Sequence, residues 1–134
     1  MRVITPSKDH VIEWQQEEVT PAFVEKFRLG TSAQHSKLIP LTLPTAFRRP
    51  EFDWLEKLEV DMHDLLHTEQ EYQYFKPLEI GDKPIVRTWV SNFRERKGKQ
   101  FSLSIIEFTS DVVCKGEKKL TSITNFVVKT ATKE

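Results

Sequence analysis

From Leu65 onward the chain alternates apolar and polar residues with a period of two, in segments of about 10 to 14 residues separated by turns of a few residues. Strands usually run roughly five or six residues, and connections this short join antiparallel neighbours. In the first segment the alternation puts Thr68, Gln70, Tyr72 and Tyr74 on one face and His67, Glu69, Glu71 and Gln73 on the other. Ile85 to Arg96 sets Val86, Thr88 and Val90 opposite Ile85, Arg87, Trp89 and Phe93. Phe101 to Cys114 and Leu120 to Lys129 complete the series, with Thr130 to Glu134 as a tail. Turns fall at Pro77–Asp82, Arg96–Lys99 and Lys115–Glu117, and Gly98 and Gly116 sit where a tight reversal calls for positive φ.

Long, bent antiparallel strands must wrap something, and the apolar helical region before them is the candidate. Val11 to Trp14 reads as a short strand or extended arm. Thr20 then Pro21 is a helix start, Phe23 and Phe27 share one face, and Gly30 is the expected stop. Residues 31–40 read as a loop. Residues 42–58 read as a buried helical region interrupted at Pro44 and Pro50, with Phe52, Leu55 and Leu58 at helical spacing. The expected class is α+β, a curved antiparallel sheet wrapped around a central helix, as in the hotdog fold. Its outer face or edge calls for cover by a second copy, so a dimer is expected.

At 134 residues the chain has the size of one domain, taken as 1–134. Basic and acidic side chains balance at 20 each, so bulk charge draws it neither to nucleic acid nor to an anionic membrane. No apolar stretch approaches the roughly 18 residues of a membrane span. Met1 to Asp9 lacks the apolar run of a secretory leader. Cys114 is the single cysteine, which rules out an internal disulfide and fits a reducing compartment. The expected localisation is cytoplasmic.

One block is more specific: His67-x-x-Gln70-x-Tyr72-x-Tyr74-x-x-Pro77-Leu78-x-x-Gly81-Asp82. Ahead of it stands the Pro-rich segment Ile39-Pro-Leu-Thr-Leu-Pro-Thr45, and behind it the closing Thr121-x-x-Thr124-Asn-Phe-Val-Val-Lys129. In this order the chain resembles, over most of its length, the N-terminal MaoC-like, or fatty-acid-synthase-type, dehydratase domain. The resemblance implies one half of a double-hotdog hydratase or dehydratase, acting on 3-hydroxyacyl or 2-enoyl thioesters of coenzyme A or acyl carrier protein without a cofactor. The catalytic half of that family carries Gly-Asp-x-Asn-Pro-x-His, whose Asp and His activate water. Here Gly30 is followed by Thr31-Ser-Ala-Gln-His35: the acid is a threonine, Asn-Pro is missing and His35 falls one residue short. The implied role is the half that shapes the acyl tunnel, with a homodimer or a heterodimer with a catalytic hotdog subunit as the expected assembly.

Such chemistry needs an acid or base near the substrate's Cα and Cβ and donors for the thioester oxygen. His67 as base with Glu69 as its orienter, and His35, are the acid–base candidates. Backbone amides at Pro44-Thr45-Ala46 are candidate donors, and Gln70 and Tyr72 are candidate substrate contacts. Arg94, Arg96 and Lys97 form a basic hairpin tip suited to coenzyme A phosphates or an acidic carrier surface. His63 and His67 have metal spacing only on a helix, and Leu65-Leu66-His67 enters a strand, so no metal is expected. Plainer readings stand beside these: a core helix, an exposed polar strand face and a solvated turn. Cys114 reads as inert, and the tryptophans as packing residues. Competing functions are a stand-alone hotdog thioesterase or hydratase and a non-enzymatic acyl-CoA binder.

Overall fold

The computed structural model describes residues 5–31 and 39–131, with Gly30 and Thr31 described by backbone alone. Strand β1 (Ile12–Gln15) leads to helix α1 (Pro21–Thr31), a 3-10 turn (Leu43–Ala46) and helix α2 (Arg49–Lys57). A second 3-10 turn (Met62–Asp64) delivers the chain to β2 (Leu65–Tyr74), β3 (Ile85–Lys97), β4 (Phe101–Cys114) and β5 (Glu117–Ala131). The strands form one antiparallel sheet in the order β1-β3-β4-β5-β2. Among the described residues no helix is long and apolar enough to cross a membrane.

Local chemistry explains the helical elements. Thr20 Oγ1 accepts from the Phe23 amide at 3.0 Å and caps α1, which runs through Gly30 rather than stopping there. The central helix comes in two pieces. Pro44 lies in the 3-10 turn and Pro50 in the first turn of α2, where a missing N–H costs nothing. The buried stripe of α2 is Glu51, Trp54, Leu55 and, just past its end, Leu58; Phe52, expected in that stripe, is 44% exposed.

Lys115 (φ 51°) and Gly116 (φ 75°) make the two-residue reversal that pairs Cys114 with Glu117, so β5 begins earlier than Leu120. Gly98 was expected at positive φ and is not. It is required for closeness instead: a Cβ there would lie 2.6 Å from the Phe101 carbonyl oxygen, which accepts the Gly98 amide at 3.0 Å.

Register shifts lie between His67 and Glu69 in β2, between Val90 and Asn92 in β3, and opposite Val112/Val113 in β5. Each extra residue adds twist and reverses the in–out parity beyond it. Phe93, placed with Trp89 by strict alternation, therefore turns to the Val90 face and packs on the core. Both helices pack on that one concave face. Val24, Leu43, Phe47, Val86, Val112 and Leu120 form one buried cluster. Trp54, Leu55, Leu58, Val90, Ile106, Phe108, Phe126 and Val128 form the other.

Phe108 is fully buried at the centre of the second cluster, edge-on to Phe126 at 5.9 Å. Phe108→Ala is expected to lower unfolding stability by about 3–5 kcal/mol. Urea denaturation would show a lower midpoint with an unchanged m-value.

Candidate functional site

Between the two apolar clusters the sheet presents a row of small hydroxyl side chains. Ile12, Thr88, Ser110, Ser122 and Tyr72 are successive cross-strand partners over all five strands. Buried hydroxyls need partners, and Thr88 Oγ1 lies 2.6 Å from Ser110 Oγ. At the β3 end the row is closed by Trp54, whose Nε1 donates to the Thr88 carbonyl at 2.8 Å. At the β2 end it meets Gln70, whose Nε2 donates to Ser122 Oγ at 2.6 Å.

Helix α2 supplies the second half of this polar band. Glu51 is 3% exposed. Its Oε2 accepts from Arg48 Nε at 3.1 Å, and its Oε1 is bound by the Thr124 hydroxyl. That hydroxyl also lies 2.9 Å from Gln70 Oε1, so its proton is shared between two acceptors. A buried carboxylate is tolerated only with such partners. The network Arg48–Glu51–Thr124–Gln70–Ser122 thus ties α2 to β5 and β2.

Toward the rim of β2, Tyr72 contacts the Thr45 hydroxyl, and Tyr74 donates to the Leu41 carbonyl at 2.7 Å. Burial raises both phenols. Tyr74 rises to about 12, with help from Tyr72, while the Thr45 hydrogen bond and the Arg48 charge moderate the rise at Tyr72. Two clefts flank the 3-10 turn. One of about 450 Å³ is lined by Thr20, Phe23, Phe27 and Ala46. The other, of about 270 Å³, is lined by Ile39, Leu41, Tyr74 and Leu78.

The sequence-derived candidates divide. Thr45 meets Tyr72, and Gln70 lies on the same face and bonds to Ser122, the cross-strand partner of Tyr72; Ala46 lines the larger cleft. Pro44 has no N–H and the Thr45 amide is spent on the Thr42 carbonyl at 2.9 Å, so neither of these two offers a free amide donor. The shared face of His67 and Glu69 is corrected. The extra residue at Thr68 leaves His67 opposite Phe126, on the concave side, and Glu69 opposite Asn125, on the convex side. His67 packs against Phe126 with ring centres 5.3 Å apart and the planes tilted by 42°, and its Nε2 meets the backbone carbonyl of Glu69, not the carboxylate, at 3.0 Å. His35 lies outside the described residues. Arg94 and Arg96 pair with Ile105 and Leu103 on the convex side, while Lys97 pairs with Ser102 on the concave one, so the basic tip is split between faces.

Arg48, Glu51 and Ser122 were not singled out by sequence reasoning, and Thr124 stood only as part of the closing motif. A signal for Glu51 existed: it stands at the i, i+3, i+4, i+7 spacing of Trp54, Leu55 and Leu58, a charge inside an apolar stripe. Cys114 is 2% exposed and burial raises its thiol to about 11, which fits an inert side chain. Among the described residues no group of three or more His, Cys, Asp or Glu is arranged to hold a metal. Among the described residues, Thr45, Gln70, Tyr72 and Arg48 bring hydrogen-bonding groups to the concave rim, where an oxygen-bearing ligand could be met.

Residues 10–120 match the family described as "FAS1-like, dehydratase domain region". No curated protein matches the sequence. The fold is similar to that of C-terminally truncated HadBC, a 3R-hydroxyacyl-ACP dehydratase complex from Mycobacterium tuberculosis. The TM-score is 0.71 at 17% identity, covering 92% of this chain and 99% of that one. HtdX from the same organism gives 0.72 at 19% identity over 88% of this chain, which spans only 50% of HtdX. The ChsH1-ChsH2 complex, again from M. tuberculosis, gives 0.67 at 9% identity, covering 92% and 85%. At these identities the likeness is one of fold.

The chain has two tyrosines, so their titration can be read directly. Both folded phenols lie above the ordinary value near 10. Unfolded chains then lose those protons first, and stability falls as pH rises from about 10 towards the folded values. Tyrosinate absorbance at 295 nm is expected to lag behind that of the urea-unfolded chain. Tyr74→Phe should flatten the alkaline fall in melting temperature.

Proposed function

The chain belongs to the FAS1-like dehydratase domain region family, the MaoC-like hotdog dehydratases, and on that basis we propose that it is the substrate-binding half of an acyl-thioester dehydratase or hydratase. Its substrates are 3-hydroxyacyl or 2-enoyl thioesters of coenzyme A or acyl carrier protein, and a catalytic hotdog subunit supplies the acid and base. The observation that carries this reading is the sequence after Gly30. Thr31-Ser-Ala-Gln-His35 stands where the catalytic half has Asp-x-Asn-Pro-x-His, while the polar side chains of Thr45, Gln70 and Tyr72 remain at the concave rim.

In the dehydration a base removes the proton on Cα, the Cα–Cβ double bond forms, and the Cβ–O bond breaks as an acid protonates the leaving hydroxyl to water. Charge develops on the thioester oxygen, which fixed donors stabilise. The Thr45 and Tyr72 hydroxyls and the Gln70 amide are the proposed substrate contacts. His67 lies on the concave side opposite Phe126, and Glu69 on the convex side opposite Asn125. Arg94, Arg96 and Lys97 offer positive charge to the phosphates of coenzyme A or to an acidic carrier. The apolar clefts beside the 3-10 turn suit the acyl chain.

The partner reading draws support from two comparisons, HadBC and ChsH1-ChsH2, each named as a complex of two components. It draws further support from β2, a ten-residue strand at the end of the sheet order whose outer backbone groups have no strand beside them among the described residues. Co-purification from the native cell is expected to yield a second hotdog chain bearing Asp-x-Asn-Pro-x-His. Hydration of crotonyl-CoA should be found in the pair and not in the isolated chain. Equal turnover by the isolated chain would count against this division of labour.

A further inference from the structure

Arg48 is built into the concave rim in a way its neighbours explain only in part. It stands at the start of α2 with its side chain 19% exposed. Its Nε is engaged by Glu51, which is itself buried and held by Thr124. The guanidinium carbon lies 5.7 Å from the ring centre of Phe52 and 5.6 Å from that of Phe126. Glu51 fixes one edge of the planar head, and the two rings restrict its tumbling. The terminal nitrogens make no hydrogen bond to any described residue, and neither is sealed from solvent. The head is also near enough to Tyr72 for its charge to act on that phenol, and Tyr72 in turn contacts Thr45.

A rigid donor fork with one edge satisfied and the other open is a binding site for an oxygen acceptor. We propose that Arg48 binds the carbonyl oxygen of the acyl thioester, with the Tyr72 and Thr45 hydroxyls beside it. This inference rests on the acyl-thioester reading above and specifies the contact within it. Charge argues for a carbonyl over a phosphate. The Arg48–Glu51 pair is close to neutral as a unit, which suits a neutral dipole that gains negative charge during reaction and gives little attraction to a dianion. The residue lies beside the Phe126 ring against which His67 also packs, so the site sits between α2 and the β2 edge where a partner subunit's acid and base would enter.

The test uses the protein as isolated, with any hotdog subunit that co-purifies, titrated with 2,4-hexadienoyl-CoA and with free coenzyme A. Polarisation of the thioester carbonyl shifts the dienoyl absorbance to the red. Arg48→Lys keeps a charge for Glu51 but loses the planar fork. It is expected to bind the dienoyl thioester about tenfold more weakly and without the shift, with coenzyme A binding unchanged. Wild-type protein that binds hexadienoyl-CoA with no shift, or a variant that keeps both affinity and shift, overturns the assignment and leaves the acyl-thioester reading in place. An equal loss of coenzyme A binding also overturns it, by moving Arg48 to the phosphates. Failure of the wild type to bind any thioester removes both readings together. Where Arg48→Lys does not fold, Arg48→Gln takes its place with the same expected loss of affinity and shift, and absence of the shift in the wild type still overturns the assignment.

Discussion

A row of hydroxyl side chains on the inside of a sheet cannot be covered by a purely apolar helix. Thr88 and Ser110 satisfy each other, but Ser122 and Thr124 need partners from outside their strands. Helix α2 and strand β2 provide them. Glu51 reaches Thr124, Trp54 reaches the Thr88 carbonyl, and Gln70 closes on Ser122. Apolar contact alone would let α2 slide along the concavity. Two directional bonds at successive turns of the helix fix where it stops. The position of Arg48, the Thr45–Tyr72 contact and the openings beside the 3-10 turn all follow from that docking.

Much of this architecture was legible in the chain. The antiparallel series from Leu65 and the Thr20-Pro21 helix start appear where periodicity and capping place them, and the break in the central helix falls among its prolines. These features depend on neighbours in sequence, so the sequence displays them. Bulges do not announce themselves in the same way. An extra residue at Thr68 or Ser91 is fixed by pairing with a distant strand, and strict alternation therefore misassigned Phe93 and joined His67 to Glu69.

The candidate site was harder to read because its key members are polar residues in core positions. Thr45, Gln70 and Tyr72 stood out through their places in recognisable segments; Thr45 contacts Tyr72, and Gln70 bonds to Ser122 on the same face. Glu51 and Thr124 are 73 residues apart, and nothing local marks them as a pair. Arg48 falls inside the helical region read over 42–58, and no local pattern marks it as a side chain held between Phe52 and Phe126. A carboxylate within an apolar helical stripe was the trace that Glu51 left in the linear text.

The irregularity at Thr68 has a further effect on how this molecule meets others. It falls near the start of the strand whose outer backbone is open, with Thr68 Oγ1 bonded to the Asn125 carbonyl. An unbroken, flat edge would accept any extended polypeptide, including misfolded copies of itself. Here a newcomer in register with Tyr74 falls out of step before it reaches Leu66. Only a surface shaped to that kink can engage the whole length, so the defect acts as a filter against fibril growth while leaving a matched subunit free to dock.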